Sequence, residues 1–305
     1  MPLVIDNPSR ESCSLPEAIE ALAELGFDPR DEGNCREAAL WLRRLTNNRE
    51  FLAKLLIDRL AGRLGGGAAV EIESGYGPQA IALSGLRGNA RGSMFLRANI
   101  WPSEIDLCFK TSGAESFVYG VPHDHNFSFL TCGYCGPGYR SDYYEYDYED
   151  VIGYPGEDAG LRFVERSALG EGKLMLYRAH VDVHSQLPPE ALSVSLNVMH
   201  VDPAQGWFDQ YGFDLERGQV TRVLSPNAAE AFLRVAVASG THEALDYAQW
   251  VGTSHPSERL RLASFEARAG LMASAEANAV WREGEACGSR MVATVARLRR
   301  AGLQD

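Results

Sequence analysis

Two histidines one residue apart, in Gly120-Val121-Pro122-His123-Asp124-His125-Asn126-Phe127-Ser128-Phe129, constrain this chain more than any other stretch. An extended backbone sends alternate side chains to the same face. Read as a strand, the run turns His123 and His125 the same way, with Phe127 and Phe129 following on that face. Two imidazoles at this spacing can chelate one divalent metal. The aromatic rings beyond them would make a dry wall.

A facial site needs a third donor. The chain has seven histidines, and five of them (123, 125, 180, 184 and 200) fall between positions 123 and 200. His184 follows the apolar run that begins at Leu174 and precedes a Pro188-Pro189 turn, after which a further strand runs from Ala191 to Met199. His184 is the leading third ligand, while His180 has the same parity and stays open. His200 is expected at the periphery, and His242 and His255 at surface or capping positions.

A histidine pair on one strand and a single histidine about 60 residues on, with strands and turns between, resembles the layout of a cupin over residues 78–203. The runs Phe95-Leu96-Arg97-Ala98-Asn99 and Ile105-Asp106-Leu107-Cys108-Phe109, followed by the His123/His125 strand, resemble the three-histidine thiol dioxygenases, the cysteine dioxygenase-like group of cupins. The resemblance implies a small β-barrel holding His123, His125 and His184 on Fe(II), with Arg97 binding a substrate carboxylate. It also places the third ligand at His184, just before the last strand. Cupins in general carry a glutamate about four residues after the second histidine; Phe129 or a neighbour stands there, so three neutral ligands are implied. The thiol dioxygenases carry a Ser-x-His-x-Tyr relay on the strand after the third ligand. Here the corresponding residues are Ser195, Asn197 and Met199, so only the serine matches and a non-thiol substrate stays open. Cys132 lies two places beyond the cross-linking cysteine of the mammalian-type enzymes.

Composition narrows the partners. The net charge of −12 argues against nucleic acid, whose binding depends on clustered Lys and Arg. No apolar run reaches the ~18 residues of a membrane span, and Met1-Pro2-Leu3-Val4-Ile5-Asp6 lacks the basic start and apolar core of a signal peptide. A cytoplasmic protein without a membrane partner is expected; a homodimer stays open. Of six cysteines only Cys132 and Cys135 have Cys-x-x-Cys spacing, without the second pair that a structural zinc site wants, so reduced cysteines are expected.

Three regions follow along the chain: residues 1–67 as a helical segment packed on the barrel, 68–215 as the barrel, and 216–305 as a helical region. Apolar residues at three- and four-residue spacing predict helices from Ser14 to a stop at Gly26, over 34–45 and over 48–60. Gly62-Arg63-Leu64-Gly65-Gly66-Gly67 reads as a joint. Strands are expected over 79–83, 92–100, 105–110, 116–121, 123–132, 140–147, 161–166, 173–178 and 191–200, with a turn over 133–139. Short strands joined by Gly, Pro and Asp turns make the fold mainly β with flanking helices. Ser225-Pro226 should start a helix, with more over 242–251, 256–269 and 285–301.

Tyr144, Tyr146 and Tyr148 alternate with Glu145, Asp147 and Glu149. Folding back on the histidine strand about Gly136 would set Glu145 and Asp147 opposite Phe127 and His125, within reach of a metal. A solvated acidic edge is the preferred reading. Asp182 and Gln186 flank His184 at two-residue spacing, where either can orient it or bind substrate. Ser193, Ser195 and Asn197 alternate with core residues and face either the metal cavity or solvent.

The leading functional expectation is an Fe(II)-dependent oxygenase or oxidase acting with O2 on a small, amino-acid-like carboxylate, a thiol among the candidates. His123, His125 and His184 would hold the metal, with Arg97, Ser195 and Asn197 as substrate-side residues. Imidazole ligands also suit Zn, Mn, Ni, Co or Cu. The alternatives are a non-redox metal-dependent isomerase, lyase or hydrolase, and a metal- or metabolite-binding module without turnover.

Overall fold

The computed structural model describes residues 1–63, 79–90, 92–225 and 228–302. The expected joint at 62–67 lies outside the described residues from Leu64 onward, as does Pro226. The chain divides into two compact units. One comprises Met1–Tyr148, Asp158–Gln205 and Gly212–Gln219; the other comprises Glu149–Glu157, Gly206–Tyr211 and Val220–Asp305.

The first unit opens with a short strand, β1 (Leu3–Val4), and three helices, α1 (Leu15–Leu25), α2 (Glu32–Asn47) and α3 (Phe51–Leu60). Ser14 and Glu17 cap the start of α1 reciprocally, and Gly26 ends it in the left-handed conformation at φ 64°. Along α2, Cys35, Ala38, Leu42 and Leu45 recur at helical spacing and are buried. They pack against one face of a seven-stranded sheet: Met94, Leu96 and Ala98 of β4 (Ser93–Trp101), Leu130 and Cys132 of β5 (Phe129–Cys135), and Leu196 and Val198 of β10 (Ser193–Val201).

That sheet runs β1-β8-β5-β10-β4-β2, where β8 is Leu174–Tyr177 and β2 is Ala80–Ala82; β3 (Arg87–Gly88) also pairs with β4. A separate sheet joins β7 (Arg162–Ala168), β6 (Arg140–Glu145) and β9 (Asp182–Leu187). Its Tyr143 packs with Trp101, Phe129, Met175, Tyr177 and Met199 from the large sheet's other face. Successive residues of β4, β5 and β10 thus divide cleanly: one set lies under the helices, the other faces the second sheet. Two short strands, β11 (Tyr211–Asp214) and β12 (Gln219–Val223), follow.

Among the described residues helix outweighs strand, 41% against 24%, so the fold is mixed rather than mainly β, and no sheet closes into a barrel. The excess has identifiable sources. Residues 105–110, expected as a strand, begin a helix, α4 (Leu107–Ser112). The Asp106 carboxylate accepts the Ser103 N–H (2.7 Å) and turns the chain there. Residues 116–121 are also not a strand: a 3-10 turn covers Ala114–Phe117, and Val118 and Gly120 have φ of 63° and 68°. The expected strand 123–132 is regular only from Phe129, and it continues through Cys135 into what composition marked as turn. The six cysteines are free thiols.

The second unit is built on α5 (Ala228–Ala238), α6 (His242–Ser254), α7 (Glu258–Ala269), α8 (Ser274–Glu285) and α9 (Arg290–Gly302). Sequence periodicity missed α8. Leu233, Val237, Ala248, Val251 and Leu260 form one core cluster of this unit, and Phe265, Val280, Trp281 and Val292 a second. No described helix is long and apolar enough to cross a membrane.

Candidate metal centre

His184 sits at the centre of β9, register-paired with Tyr143 of β6. The segment that carries His123 and His125 belongs to no regular ladder, and its backbone bonds go to several neighbours. His123 exchanges N–H···O bonds with His184 (3.0 and 2.9 Å), and Pro122 accepts from Phe213 (3.0 Å). His125 accepts from His180 (2.8 Å), and Ser128 from His200 (3.1 Å). Alternation survives nonetheless: His123, His125, Phe127 and Phe129 all face the interior, with the His125 ring 4.8 Å from Phe127 and 5.1 Å from Phe129.

The three imidazoles are buried and converge through their Nε2 atoms. His184 Nε2 stands 3.1 Å from His125 Nε2 and 3.2 Å from His123 Nε2. Two nitrogens bound about 2.1 Å from one ion at roughly a right angle stand about 3.0 Å apart, so these separations fit a facial tripod. His123 Nδ1 lies 2.7 Å from the Val121 carbonyl, to which it donates, so its Nε2 presents a lone pair. Lone pairs aimed at one another repel unless a proton or a cation lies between them. The Nδ1 atoms of His125 and His184 are buried without a hydrogen-bond partner, so protein contacts fix the tautomer of His123 alone.

Electrostatics favour the neutral, ligating form of each ring. Burial holds His123 below the usual histidine range. It holds His184 well below, helped by His123. His125 is also held well below, first by burial and then by His123, His184 and Arg97. The donor set is therefore three neutral nitrogens, and no carboxylate among the described residues joins the cluster.

Arg97 lies on the same side of the large sheet. It is register-paired with Asn197 of β10 and is 8% exposed, with its charge felt at both His125 and Tyr139. Asn99, Thr131, Ser195 and Asn197 share this face and are buried, not solvent-facing. Ser195 Oγ accepts the indole N–H of Trp101 (3.0 Å), and its own O–H still has a bond to give. Asn197 donates to Asn99 (3.4 Å). Thr131 Oγ1 and Gln186 Oε1 are among the buried oxygens without a hydrogen-bond partner; the Gln186 amide nitrogen lies 3.5 Å from His184 Nε2.

The other sequence candidates lie elsewhere. Because β6 pairs with β7 and β9 and not with β5, the fold-back that would bring acids to His125 does not form. Glu145 binds the Met1 amino group (2.5 Å) and Arg178 (2.8 Å), and Asp147 binds Arg162 (3.0 Å). Asp182 pairs with Arg178 (2.7 Å). His180 has φ 62° and lies behind the ligand segment, its ring 4.2 Å from Tyr148 and its Nδ1 4.0 Å from Asp124. Burial pushes it down to about 4. His200 turns to the helix side of the sheet and meets Phe27 edge-on.

Sequence reading missed a tyrosine cluster beside the histidines. Tyr177 Oη lies 3.0 Å from Tyr143 Oη and 3.4 Å from Tyr139 Oη, and the Tyr177 ring is 5.0 Å from His184. The three come from β6, β8 and the turn before β6, so only tertiary pairing unites them. Burial pushes each phenol up, and they remain protonated donors. A scan of the chain against protein-family models and a search of curated proteins each find no match.

Proposed function

We propose that this protein is a non-haem Fe(II)-dependent oxygenase or oxidase of cupin type, acting on a small carboxylate-bearing, amino-acid-like substrate. The observation that carries the reading is the convergence of three neutral Nε2 atoms within 4.8 Å of one another in a buried site, with a buried arginine on the adjoining sheet face. We infer further that the two facing sheets and the bridging histidine segment correspond to a cupin barrel whose wall is not continuously paired.

In this reading His123, His125 and His184 would hold the metal as three neutral donors, and substrate would complete its ligand set. When bound, Fe(II) supplies a centre that substrate and O2 can share. Arg97 binds the substrate carboxylate through two parallel hydrogen bonds, fixing its orientation. Thr131 Oγ1 and Gln186 Oε1 accept hydrogen bonds from the substrate's polar groups. Phe127, Phe129 and Trp101 exclude water, and the buried tyrosine hydroxyls beside His184 offer protons. Oxygen uptake tests this: protein loaded anaerobically with Fe(II) should consume O2 only when a suitable amino-acid-like carboxylate is present, thiols included in the panel.

The donor set favours one second reading. Three imidazoles without a carboxylate also suit Zn as a Lewis acid, so a non-redox lyase, isomerase or hydrolase would use the same three histidines. Turnover with Zn and no oxygen uptake would select it.

A further inference from the structure

The histidine pair sits on a stretch that no ladder holds straight, so something else must fix its shape. Asp124 lies between the two histidines, and alternation turns its side chain to the opposite side. That side chain is fully buried, and Tyr146 Oη donates to its Oδ2 at 2.6 Å. Tyr146 is itself 2% exposed, and its ring packs edge-on against Phe213 at 5.3 Å. Phe213 also donates its N–H to the Pro122 carbonyl (3.0 Å), one residue before the first ligand. On the far side, the left-handed His180 directs its N–H to the His125 carbonyl (2.8 Å). The segment is therefore braced from behind at Pro122, Asp124 and His125, and Asp124 supplies the only one of those three braces made by a side chain of the segment itself.

We propose that Asp124 and Tyr146 are positioning residues for the three-histidine centre. Their hydrogen bond sets the separation and tilt of the His123 and His125 rings, and through them the affinity and coordination geometry of a bound metal. This rests on the metal-centre reading above. A short bond between phenol and carboxyl, shielded from water, is stiff enough to hold a two-residue span. A loosened span would let the two rings rotate independently, which costs metal affinity without touching a ligand.

The test is titration of the full chain with Co(II), read by its d–d absorption and by competition with a chelator. Tyr146→Phe removes one hydroxyl and should weaken Co(II) binding about tenfold or more and alter the band pattern. Asp124→Asn still accepts from Tyr146 and should stay close to wild type in both readouts. The double variant Asp124→Asn/Tyr146→Phe removes this bond without leaving a charge at position 124, and it should bind as weakly as Tyr146→Phe if that single variant proves too unstable to handle. Wild-type affinity and bands in Tyr146→Phe, or in the double variant, overturn the proposal even if the metal-free protein melts earlier. If the wild-type chain takes up no Co(II), the metal-centre reading falls together with it.

Discussion

His123 and His184 exchange both of their backbone hydrogen bonds, at 3.0 and 2.9 Å, and the same pairing brings their Nε2 atoms to 3.2 Å. Sixty-one residues separate them in the chain. Backbone pairing thus fixes the distance between two of the three imidazoles, and it joins the irregular histidine segment to the three-stranded sheet.

Arg97 should matter to substrate and not to metal. Arg97→Met is expected to weaken binding of a carboxylate ligand roughly ten- to a hundredfold, the loss of about 1.5–3 kcal/mol typical of a charged hydrogen bond. Metal content should be unchanged. Calorimetric titration of the metal-loaded variant checks both; unaltered carboxylate affinity removes Arg97 from the site.

The acids at the end of β6 and just beyond it should be dispensable for metal. Glu145 and Asp147 face Arg178 and Arg162, so Glu145→Gln and Asp147→Asn are expected to retain wild-type metal stoichiometry. His180→Asn, which tolerates the left-handed backbone, should also retain it. Elemental analysis of the purified variants decides, and loss of metal in either acid variant would restore a carboxylate ligand.

The helix side of the large sheet carries much of the stability of its unit. Leu42 has no exposed surface and packs in the cluster that includes Leu96 and Leu130. Leu42→Ala should cost about 2–5 kcal/mol, read as an earlier urea midpoint. A change below about 0.5 kcal/mol, the scale of surface substitutions, would mean that α2 is not seated on the sheet.

Alkaline pH should loosen the same interface. Cys13 and Cys35 are both pushed up from 9.0 to about 11, chiefly by burial. Between those values the unfolded thiols have lost protons that the folded ones keep, so the unfolded state binds fewer protons and stability falls as pH rises. The stabilisation is complete below pH 9 and is lost by about pH 11. Melting followed from pH 8.5 to 11 should fall less steeply in a Cys13→Ala/Cys35→Ala variant than in wild type; equal slopes would contradict the burial of these thiols.

Local pattern carried the site further than the fold. Alternation alone places His123 and His125 with Phe127 and Phe129, and it sets Ser195 and Asn197 on one face of β10, because side-chain direction depends on neighbouring residues. Long-range pairing leaves no such trace. Nothing in Arg140–Glu145 marks β9 rather than β5 as its partner, so local pattern leaves a fold-back of the acids on His125 open beside the preferred solvated edge, and it does not unite Tyr143, Tyr177 and Tyr139. Short apolar runs are ambiguous as well: Ile105, Leu107 and Phe109 alternate like a strand, yet Asp106 turns the chain into a helix and leaves Ile105 and Leu107 about three-quarters exposed.

Metal analysis of anaerobically purified protein tests the centre most directly, with wild type beside His123→Ala, His125→Ala and His184→Ala. Wild type should carry stoichiometric iron, and each variant should lose it while its far-UV circular dichroism stays that of the folded chain. Stoichiometric iron retained in folded His184→Ala would contradict the three-histidine centre.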